Sequence, residues 1–429
     1  MESVSAIAPS QERRLPFWRD PIAWVRRKNL GSGYWIFFTS AFFYDAGFAI
    51  YFFLFNLYLM DRGFTDRAIG LIGGSFTAGS LVGTLPAGRL ERRAGLRSML
   101  IALFIAAPLL NAARALWLWE PAQIALAFAT GFAMTAWGVC FLPAIARLTT
   151  EENRTAAFGL IFSASIATTM IGGIVCGYMR GWLEAVGYSI SAAQMKEWIL
   201  LVSCAIVPFG LFAVWRLRFP SNVQERGKVT GNWWSSLRLS PFLRRYLPVM
   251  ALWSAVLAAF TPFANIYLSR QMHVPMEQVG LMFSLAQGIQ LCMGLLVPFV
   301  TRLLGLIRGI AAMQAVAAVV LGCMAVVTDA RLAMAFYLIF SAAQWMSVPA
   351  LYNLLMNETP DAERSMAAAM TLFANALAGS VATAGAGSLF TQFGYPPVLM
   401  GIAVASIAIA LLFLFLMNRK RWSRRVDAP

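Results

Sequence analysis

The chain has 429 residues, of which 59% are hydrophobic and only 12% are charged, and its mean hydropathy is +0.67. This composition excludes a water-soluble fold and predicts a polytopic membrane protein. The formal net charge of +15 would suit nucleic-acid binding, unless the basic residues set the topology of a membrane protein instead.

Apolar runs of about 20 residues, the length of a helix that crosses a bilayer, recur along the chain. Hydropathy predicts twelve of these spans, numbered one to twelve in chain order, at about 33–59, 68–90, 96–118, 121–146, 155–179, 197–217, 246–269, 276–301, 306–328, 332–356, 365–391 and 396–418. The longest connection follows span six. We therefore predict an N-terminal tail (1–32), a six-helix bundle (33–217), a central loop (218–245), a second bundle (246–418) and a basic C-terminal tail (419–429).

The basic residues indicate how the spans are oriented. If the N-terminus is cytoplasmic, 27 of the 34 Lys and Arg residues fall on the cytoplasmic side and 7 fall on the other side. Cytoplasmic loops carry such an excess, so we expect both termini in the cytoplasm and the protein in the plasma or inner membrane. The excess of basic residues then reflects topology, and no nucleic-acid partner is expected. The N-terminal tail and the central loop mix tryptophan with basic residues, which favours contact with membrane lipids.

The two halves of the chain resemble each other at a fixed offset. Moving the sequence by 210 residues aligns three pairs of glycines, which are Gly70 with Gly280, Gly95 with Gly305, and Gly177 with Gly387. The pattern Asn-x-Tyr-Leu at 56–59 returns at 265–268, an offset of 209. One offset that persists over separate segments indicates that the two six-span halves are duplicated.

Two loop motifs carry a family resemblance. Residues 88–97, between spans two and three, read GRLERRAGLR and resemble the signature G-x-L-x-D-R-x-G-R-R of the major facilitator superfamily. Residues 151–154, after span four, read EENR and are similar to a second segment of that family. The resemblance implies an all-α fold of 12 transmembrane helices in two pseudo-symmetric six-helix bundles. It also implies a cytoplasmic gate, for which the candidate residues are Gly88, Glu91, Arg92, Arg93, Gly95, Arg97, Glu152 and Arg154.

The chain departs from the family pattern at two places. Arg92 stands where the family carries Asp, and the acid is displaced by one position to Glu91. In the family this acid helps to hold the gate closed by pairing with basic side chains, so either Glu91 replaces it or the gate is weaker. Drug antiporters of the family carry G-P-x-x-G-G in span five, where this chain reads TTMIGG at 168–173. The missing Gly-Pro weakens an antiport interpretation.

Asp45 is the acidic residue that lies well inside a predicted span. A charged group at the middle of the bilayer costs about 2.5–3.5 kcal/mol on insertion scales, so we expect it to face a cavity or to be protonated. Asp45 is therefore the candidate proton-coupling residue, and a purely structural hydrogen bond to a neighbouring helix is the alternative. Tyr44, Tyr51 and Tyr58 recur every seven residues on the same helix and predict a packing seam.

Other polar and aromatic side chains inside the spans are candidates for ligand contact. The family resemblance implies a central cavity lined by spans one, four, seven and ten. The candidate substrate-binding residues are Asn56, Trp137, Trp253, Asn265, Gln287, Gln290, Gln344, Trp345 and Asn375. Each amide could equally join two helices, since such bonds are common between membrane helices. The chain has five cysteines in apolar segments without CxxC spacing, so we expect them to be buried and expect no metal site.

These observations favour a secondary active transporter that moves a small molecule by alternating access. The chain has no phosphate-binding loop and no hydrolase motif, and we expect neither a cofactor nor enzymatic activity. Proton-coupled efflux of amphipathic compounds is slightly favoured. The alternatives are proton-coupled uptake of a nutrient, a lipid or lysolipid flippase and, from other classes, a membrane sensor or a membrane-embedded enzyme. We expect a monomer whose partners are the substrate, protons and membrane lipids.

Overall fold

The computed structural model describes residues 30–185, 191–219, 240–359 and 364–417. In the N-terminal half the helices are Ser32–Asp61, Asp66–Leu116, Glu120–Leu148, Glu151–Ala185, Ala192–Ile206 and Phe209–Arg216. In the C-terminal half they are Pro241–Phe260, the short pieces Thr261–Phe263, Ala264–Ile266 and Tyr267–Gln271, and then Met276–Leu304, Leu306–Val326, Ala330–Glu358, Arg364–Phe393 and Tyr395–Met417. The predictions for both tails and for most of the central loop fall outside the described residues.

The helices of the described residues are those of an integral membrane protein. Ten of them are long and apolar enough to cross a bilayer, and a bent pair, Met276–Gly294 with Leu296–Leu304, forms an eleventh. Spans two and three are the two parts of the helix Asp66–Leu116, which is interrupted at Gly95. The elements follow the predicted spans in order and agree with the predicted fold of 12 helices in two bundles.

The duplication predicted from the sequence is confirmed in the backbone and in the hydrogen bonds. Gly95 and Gly305, which the offset aligns, have nearly identical angles, with φ 82° and ψ 158° at the first and φ 80° and ψ 158° at the second. A positive φ is a conformation that glycine adopts readily and other residues rarely adopt. The Tyr58 hydroxyl donates to the Ala115 carbonyl at 2.7 Å, and its counterpart Tyr267 donates to the Met324 carbonyl, also at 2.7 Å.

Two of the spans are broken where a proline occurs. Span six is divided at Pro208 into Ala192–Ile206 and Phe209–Arg216. The outer part of span seven, beginning at Thr261, is wound as short 3₁₀, α and π pieces, with Pro262 in the first of them. Proline supplies no N–H to a helix and its ring clashes with the preceding turn, which weakens the helix at both positions. Proline alone does not decide a break, since other helices continue through Pro108 and Pro143. The break in span seven leaves the Pro262 carbonyl free to accept a bond from span one.

Three expectations about individual residues need correction or qualification. Arg114 and Lys196, counted among the residues of the outer side, are buried, with only 3% and 8% of their surface exposed. The Lys196 ammonium pairs with Asp61 at 2.7 Å, and the Arg114 guanidinium lies 4.3 Å from the Phe55 ring. The expectation that the cysteines are buried is wrong for Cys292, which is exposed on its helix, and Cys323 is only partly buried. Hydropathy locates a residue along the chain but does not say which way its helix face is turned.

Candidate functional site

A cavity of about 440 Å³ lies between the two halves of the molecule. Spans one, four and five supply residues from the N-terminal half, and spans seven and eight supply residues from the C-terminal half. The lining consists of Tyr44, Asp45, Phe48, Ala49, Phe52, Phe53, Asn56, Met134, Trp137, Ser165, Thr169, Gly173, Thr261, Pro262, Asn265, Phe283 and Gln287. The volume falls in the range of about 300–1,000 Å³ that is usual for small-molecule sites.

Asp45 is the charged side chain of this lining. Ser165, which span five brings to the cavity, lies beside this carboxylate and carries a hydroxyl that can donate to it. The ion pairs of the described part of the chain join Arg62 to Glu197, Arg147 to Glu91 and Lys196 to Asp61, and none of them includes Asp45. The carboxylate therefore faces a cavity within the membrane without a basic partner among the described residues.

Aromatic rings form much of the wall beside Asp45. Tyr44 and Trp137 stack with their ring centroids 4.2 Å apart and their planes 18° apart, which joins span one to span four. Phe48, one turn further along span one, packs its ring edge-to-face on Tyr44 at 4.7 Å. On the opposite side Phe53 meets Phe283 of span eight at 5.5 Å, in an edge-to-face pair that crosses between the two halves.

The structure brings some of the predicted ligand contacts together and separates others. The residues that line the cavity are Asp45, Asn56, Trp137, Asn265 and Gln287, and those outside the lining are Trp253, Gln290, Gln344, Trp345 and Asn375. Of the residues outside the lining, Gln290 donates to the Ser341 hydroxyl at 2.6 Å, and Trp253 is only 2% exposed. Trp345 is 51% exposed on span ten. The Asn375 backbone carbonyl accepts from Ser254, while the Asn375 side-chain oxygen is buried without a partner among the described residues.

The seam of tyrosines predicted on span one is confirmed. Tyr51 and Tyr58 are fully buried, and their hydroxyls donate to the backbone carbonyls of Asn111 and Ala115 in span three. Tyr44 is also buried but differs from the other two, because its ring contributes to the cavity wall.

Two asparagines bond the halves to each other in a reciprocal arrangement. The Asn56 side-chain amide donates to the Pro262 carbonyl at 2.8 Å, and the Asn265 amide donates to the Phe53 carbonyl at 3.0 Å. The offset of 209 that relates Asn56 to Asn265 also relates Phe53 to Pro262. Each bond is thus the symmetry counterpart of the other, and we call the pair the asparagine latch. Both residues line the cavity, but one N–H of each side-chain amide is already used in this pair.

Glycine contacts close the same end of the cavity. A Cβ atom on Gly70 would lie 2.9 Å from the Cα of Gly387, and a Cβ atom on Gly280 would lie 3.1 Å from the Cα of Gly177. The offset of 210 converts the first contact into the second. Span two therefore packs on span eleven, and span eight packs on span five, at distances that only glycine permits.

Serine hydroxyls and one carboxylate reinforce this closure. Ser284 donates to the Met170 carbonyl at 2.7 Å, and Ser380 donates to the Gly74 carbonyl at 2.6 Å. Further out, the Tyr395 hydroxyl lies 3.3 Å from an Asp66 carboxylate oxygen. These bonds, like the asparagine latch, cross between the halves at the end of the spans that the basic residues predict to face outwards.

The candidate gate residues at the other end show a pairing that the sequence did not predict. Glu91 accepts from Arg147, at the end of span four, at 3.3 Å. Arg97 donates to the Trp215 carbonyl, and Arg154 donates to the Ala146 carbonyl at 3.3 Å. Arg93 is exposed on its helix. The side chains of Gly88, Arg92 and Glu152 fall outside the described positions.

Sequence reasoning missed Ser165 and Arg147. The internal repeat could have drawn attention to Ser165, because Asp45 and Ser165 correspond to Ser254 and Asn375 in the second half. In the second half the Ser254 hydroxyl donates to the backbone carbonyl of Asn375 at 3.2 Å. The duplicated position thus carries a carboxylate in one half and a neutral hydroxyl in the other. Arg147 could have been found as the basic residue nearest the cytoplasmic end of span four.

Comparisons with known proteins agree on one fold. A sequence model described as the Major Facilitator Superfamily matches residues 37–383. The crystal structure of the nucleoside transporter NupG is similar at a TM-score of 0.73 and 14% identity, covering 90% of this chain and 100% of that chain. The crystal structure of a D-xylose-proton symporter has a TM-score of 0.67 and 15% identity, covering 88% of this chain and 95% of that chain.

A third similar structure is described as a bacterial homolog of the human lysosomal transporter Spinster, inward-facing and unoccupied. It has a TM-score of 0.69 and 12% identity, covering 90% of this chain and 96% of that chain. At such identities the likeness shows the fold alone. No curated protein sequence matches this chain.

Proposed function

Because the chain belongs to the Major Facilitator Superfamily and has the fold of its transporters, we propose that it couples proton movement at Asp45 to transport of a small molecule across the cytoplasmic membrane. One observation carries this proposal. Asp45 is the charged residue of a cavity between the two bundles, and no basic side chain of the described residues pairs with it. A carboxylate so placed is unfavourable as a bare anion, and binding a proton removes that cost.

The contacts between the bundles support alternating access. The asparagine latch and the glycine contacts hold the bundles together at the predicted outer end, which would leave the cavity to be reached from the cytoplasm. Opening the outer end requires that these contacts separate. The Glu91–Arg147 pair supports the proposal that Glu91 takes over the role of the displaced motif acid at the cytoplasmic gate.

The cavity lining favours an amphipathic substrate and disfavours an anionic one. It combines six aromatic rings with one carboxylate and holds no Arg or Lys among its described residues. Efflux is the direction we propose, because an aromatic wall with a single acid suits lipophilic cargo that enters from the cytoplasm or the membrane. The protein would act as a monomer in the plasma or inner membrane, with both termini cytoplasmic.

Proton-coupled uptake is the second candidate, and one observation favours it. The Gln287 amide lines the cavity without a hydrogen bond to any described residue, so it is free to bind a polar nutrient. Two of the similar structures are a nucleoside transporter and a sugar-proton symporter. The direction of proton movement on adding ligand separates the candidates, because efflux by exchange releases protons into the compartment that supplies the ligand, whereas symport consumes them. A lipid or lysolipid flippase is a third variant, which labelled lipid would reveal.

The experiment begins with a panel of ethidium, tetraphenylphosphonium, triphenylphosphine oxide, uridine and D-xylose, tested for thermal stabilisation of the purified protein. A ligand that binds the native state raises its apparent stability. The best ligand is then followed in proteoliposomes with a pH gradient. We expect Asp45→Asn to abolish gradient-driven flux while the protein stays folded. Asp329→Asn is the matched control, because Asp329 caps a helix end through its side chain and Asn caps equally well. Full gradient-driven flux in Asp45→Asn would refute the proposal.

A further inference from the structure

The charge of the cavity is not balanced by the protein. Asp45 contributes the one formal charge of the lining, and the neighbouring Ser165 hydroxyl is neutral. The other polar side chains are hydroxyls and amides, which carry no charge, and Asn56 and Asn265 each use one amide N–H in the asparagine latch. Whatever neutralises Asp45 while the cavity is closed must therefore come from outside the described residues.

The rings beside Asp45 suit one kind of neutralising group. Tyr44, the neighbour of Asp45 in the chain, stacks on Trp137, and Phe48 packs against Tyr44. Aromatic rings attract organic cations through their electron-rich faces. Tyr44 and Phe37 both stack on Trp137, so the rings left to meet a cation are those of the lining phenylalanines, such as Phe52 and Phe53. A cation in this cavity would meet both a carboxylate and aromatic rings, whereas an anion would meet repulsion from the carboxylate and no basic group.

From this arrangement we infer that the cargo is a monovalent organic cation that exchanges for one proton at Asp45, so that each transport cycle is electrically neutral. The inference rests on the proposed function. The Asp45 carboxyl gives its proton to water on the side to which the cavity is open, and the carboxylate then pairs with the cation. On the other side the cation leaves and a proton from water takes its place. A bare carboxylate carries an uncompensated charge, so closing the cavity around it is disfavoured and exchange becomes obligatory.

Binding to the purified full-length protein tests the charge requirement with ligands of similar shape. The ligands are tetraphenylphosphonium, which is cationic, tetraphenylborate, its anionic isostere, and triphenylphosphine oxide, which is neutral. We expect tetraphenylphosphonium to bind and to release about one proton per cation in weakly buffered solution. Asp45→Asn should weaken this binding by about ten-fold or more, because the ion pair is lost, and should abolish proton release.

Two further variants keep the binding test informative if Asp45→Asn is unstable. Phe52→Leu removes a ring of the cavity lining but keeps the acid, so we expect weaker binding of tetraphenylphosphonium with proton release unchanged per bound cation. Asp329→Asn should leave both quantities unchanged, because Asp329 is at a helix end away from the cavity. Tetraphenylborate that binds as tightly as tetraphenylphosphonium would overturn the inference, and so would undiminished cation binding in Asp45→Asn.

Flux of ethidium, a monovalent cation, tests electrical neutrality in proteoliposomes, with protein-free liposomes as the blank. A pH gradient should drive ethidium movement, whereas a potassium diffusion potential set with valinomycin should leave the rate unchanged. Flux driven by the potential alone would overturn one-for-one exchange. If instead a neutral panel ligand is transported with protons and that flux is lost in Asp45→Asn, the proposed function stands and the cation inference fails. Gradient-driven flux that survives Asp45→Asn would defeat both.

Discussion

The asparagine latch makes a quantitative prediction about the outer end of the transporter. Asn56 and Asn265 each contribute one amide–carbonyl bond between the bundles, at 2.8 Å and 3.0 Å. Both bonds must break when the outer end opens. Replacing either residue with alanine removes a bond that only the closed arrangement makes, so the equilibrium shifts towards outward-open conformations.

The size of the shift follows from the usual strength of such bonds. Hydrogen bonds between membrane helices contribute about 0.6 kcal/mol on average, which corresponds to about 3-fold in an equilibrium constant. The double variant Asn56→Ala/Asn265→Ala should therefore shift the equilibrium by about 8-fold if the two bonds are independent. The two single variants should act about equally on opening because the bonds are related by the internal symmetry.

External labelling of a cysteine in the cavity measures this shift. The reporter is Ala49→Cys, since Ala49 lines the cavity, in a background with the five native cysteines replaced. A membrane-impermeant thiol reagent added outside should react about 3-fold faster in each single variant and about 8-fold faster in the double variant, in line with the bond strengths above. Ser75→Ala is the matched control, because Ser75 makes a similar bond to the Ile124 carbonyl within one bundle.

Two outcomes would refute the reasoning about the latch. The first is a folded double variant whose labelling rate equals that of the parent. The second is a large effect from one asparagine and none from the other. The Asn265 side-chain oxygen also accepts from the Ile266 N–H at 2.9 Å within span seven. The thermal stability of Asn265→Ala should therefore fall further than that of Asn56→Ala, while the labelling rates of the two variants remain similar.

Two other predictions follow from the packing and the charges. Gly280→Ala should prevent closure of the outer end, because the new methyl group would meet the Gly173 carbonyl, and faster external labelling of the same reporter would show it. Gly138→Ala is the control, since no atom lies within 4 Å of the added methyl group, and unchanged labelling in Gly280→Ala would contradict the contact. Glu91→Gln should lower the free energy of unfolding by about 0.2–1 kcal/mol, a small loss because the ion pair with Arg147 is partly exposed to solvent. The exchanged pair Glu91→Arg/Arg147→Glu should recover part of that loss, and a double-mutant cycle with no coupling would rule out the pairing.

The fold could be predicted from the sequence because few physical factors decide it. Bilayer thickness sets the length of each apolar run, and charge sets the predicted orientation. The duplication could be found because glycines and asparagines at contact points recur at one offset, as Gly70 and Gly280 do. The structure then showed why they recur, since each makes the symmetric copy of the other's contact.

The site was harder to predict because it depends on how each helix is rotated about its axis. A strongly apolar span is hydrophobic on every face, so its sequence does not say which face meets the cavity. Asp45 could be selected because burying a charge is costly wherever it points. The placement of Gln290 outside the cavity lining and the burial of Arg114 are set by tertiary packing. The use of Asn56 to join the bundles depends on the broken backbone of span seven, which frees the Pro262 carbonyl.

Protonation of Asp45 is the central claim, and infrared difference spectroscopy tests it most directly. The full-length protein in lipid is taken from high to low pH, and the carboxylic-acid C=O stretch that appears is recorded for the parent, Asp45→Asn and Asp329→Asn. This measurement needs no substrate. We predict a carboxylic-acid band that is present in the parent and in Asp329→Asn and is missing in Asp45→Asn. Identical difference spectra for the parent and for Asp45→Asn would contradict the assignment of the coupling proton to Asp45.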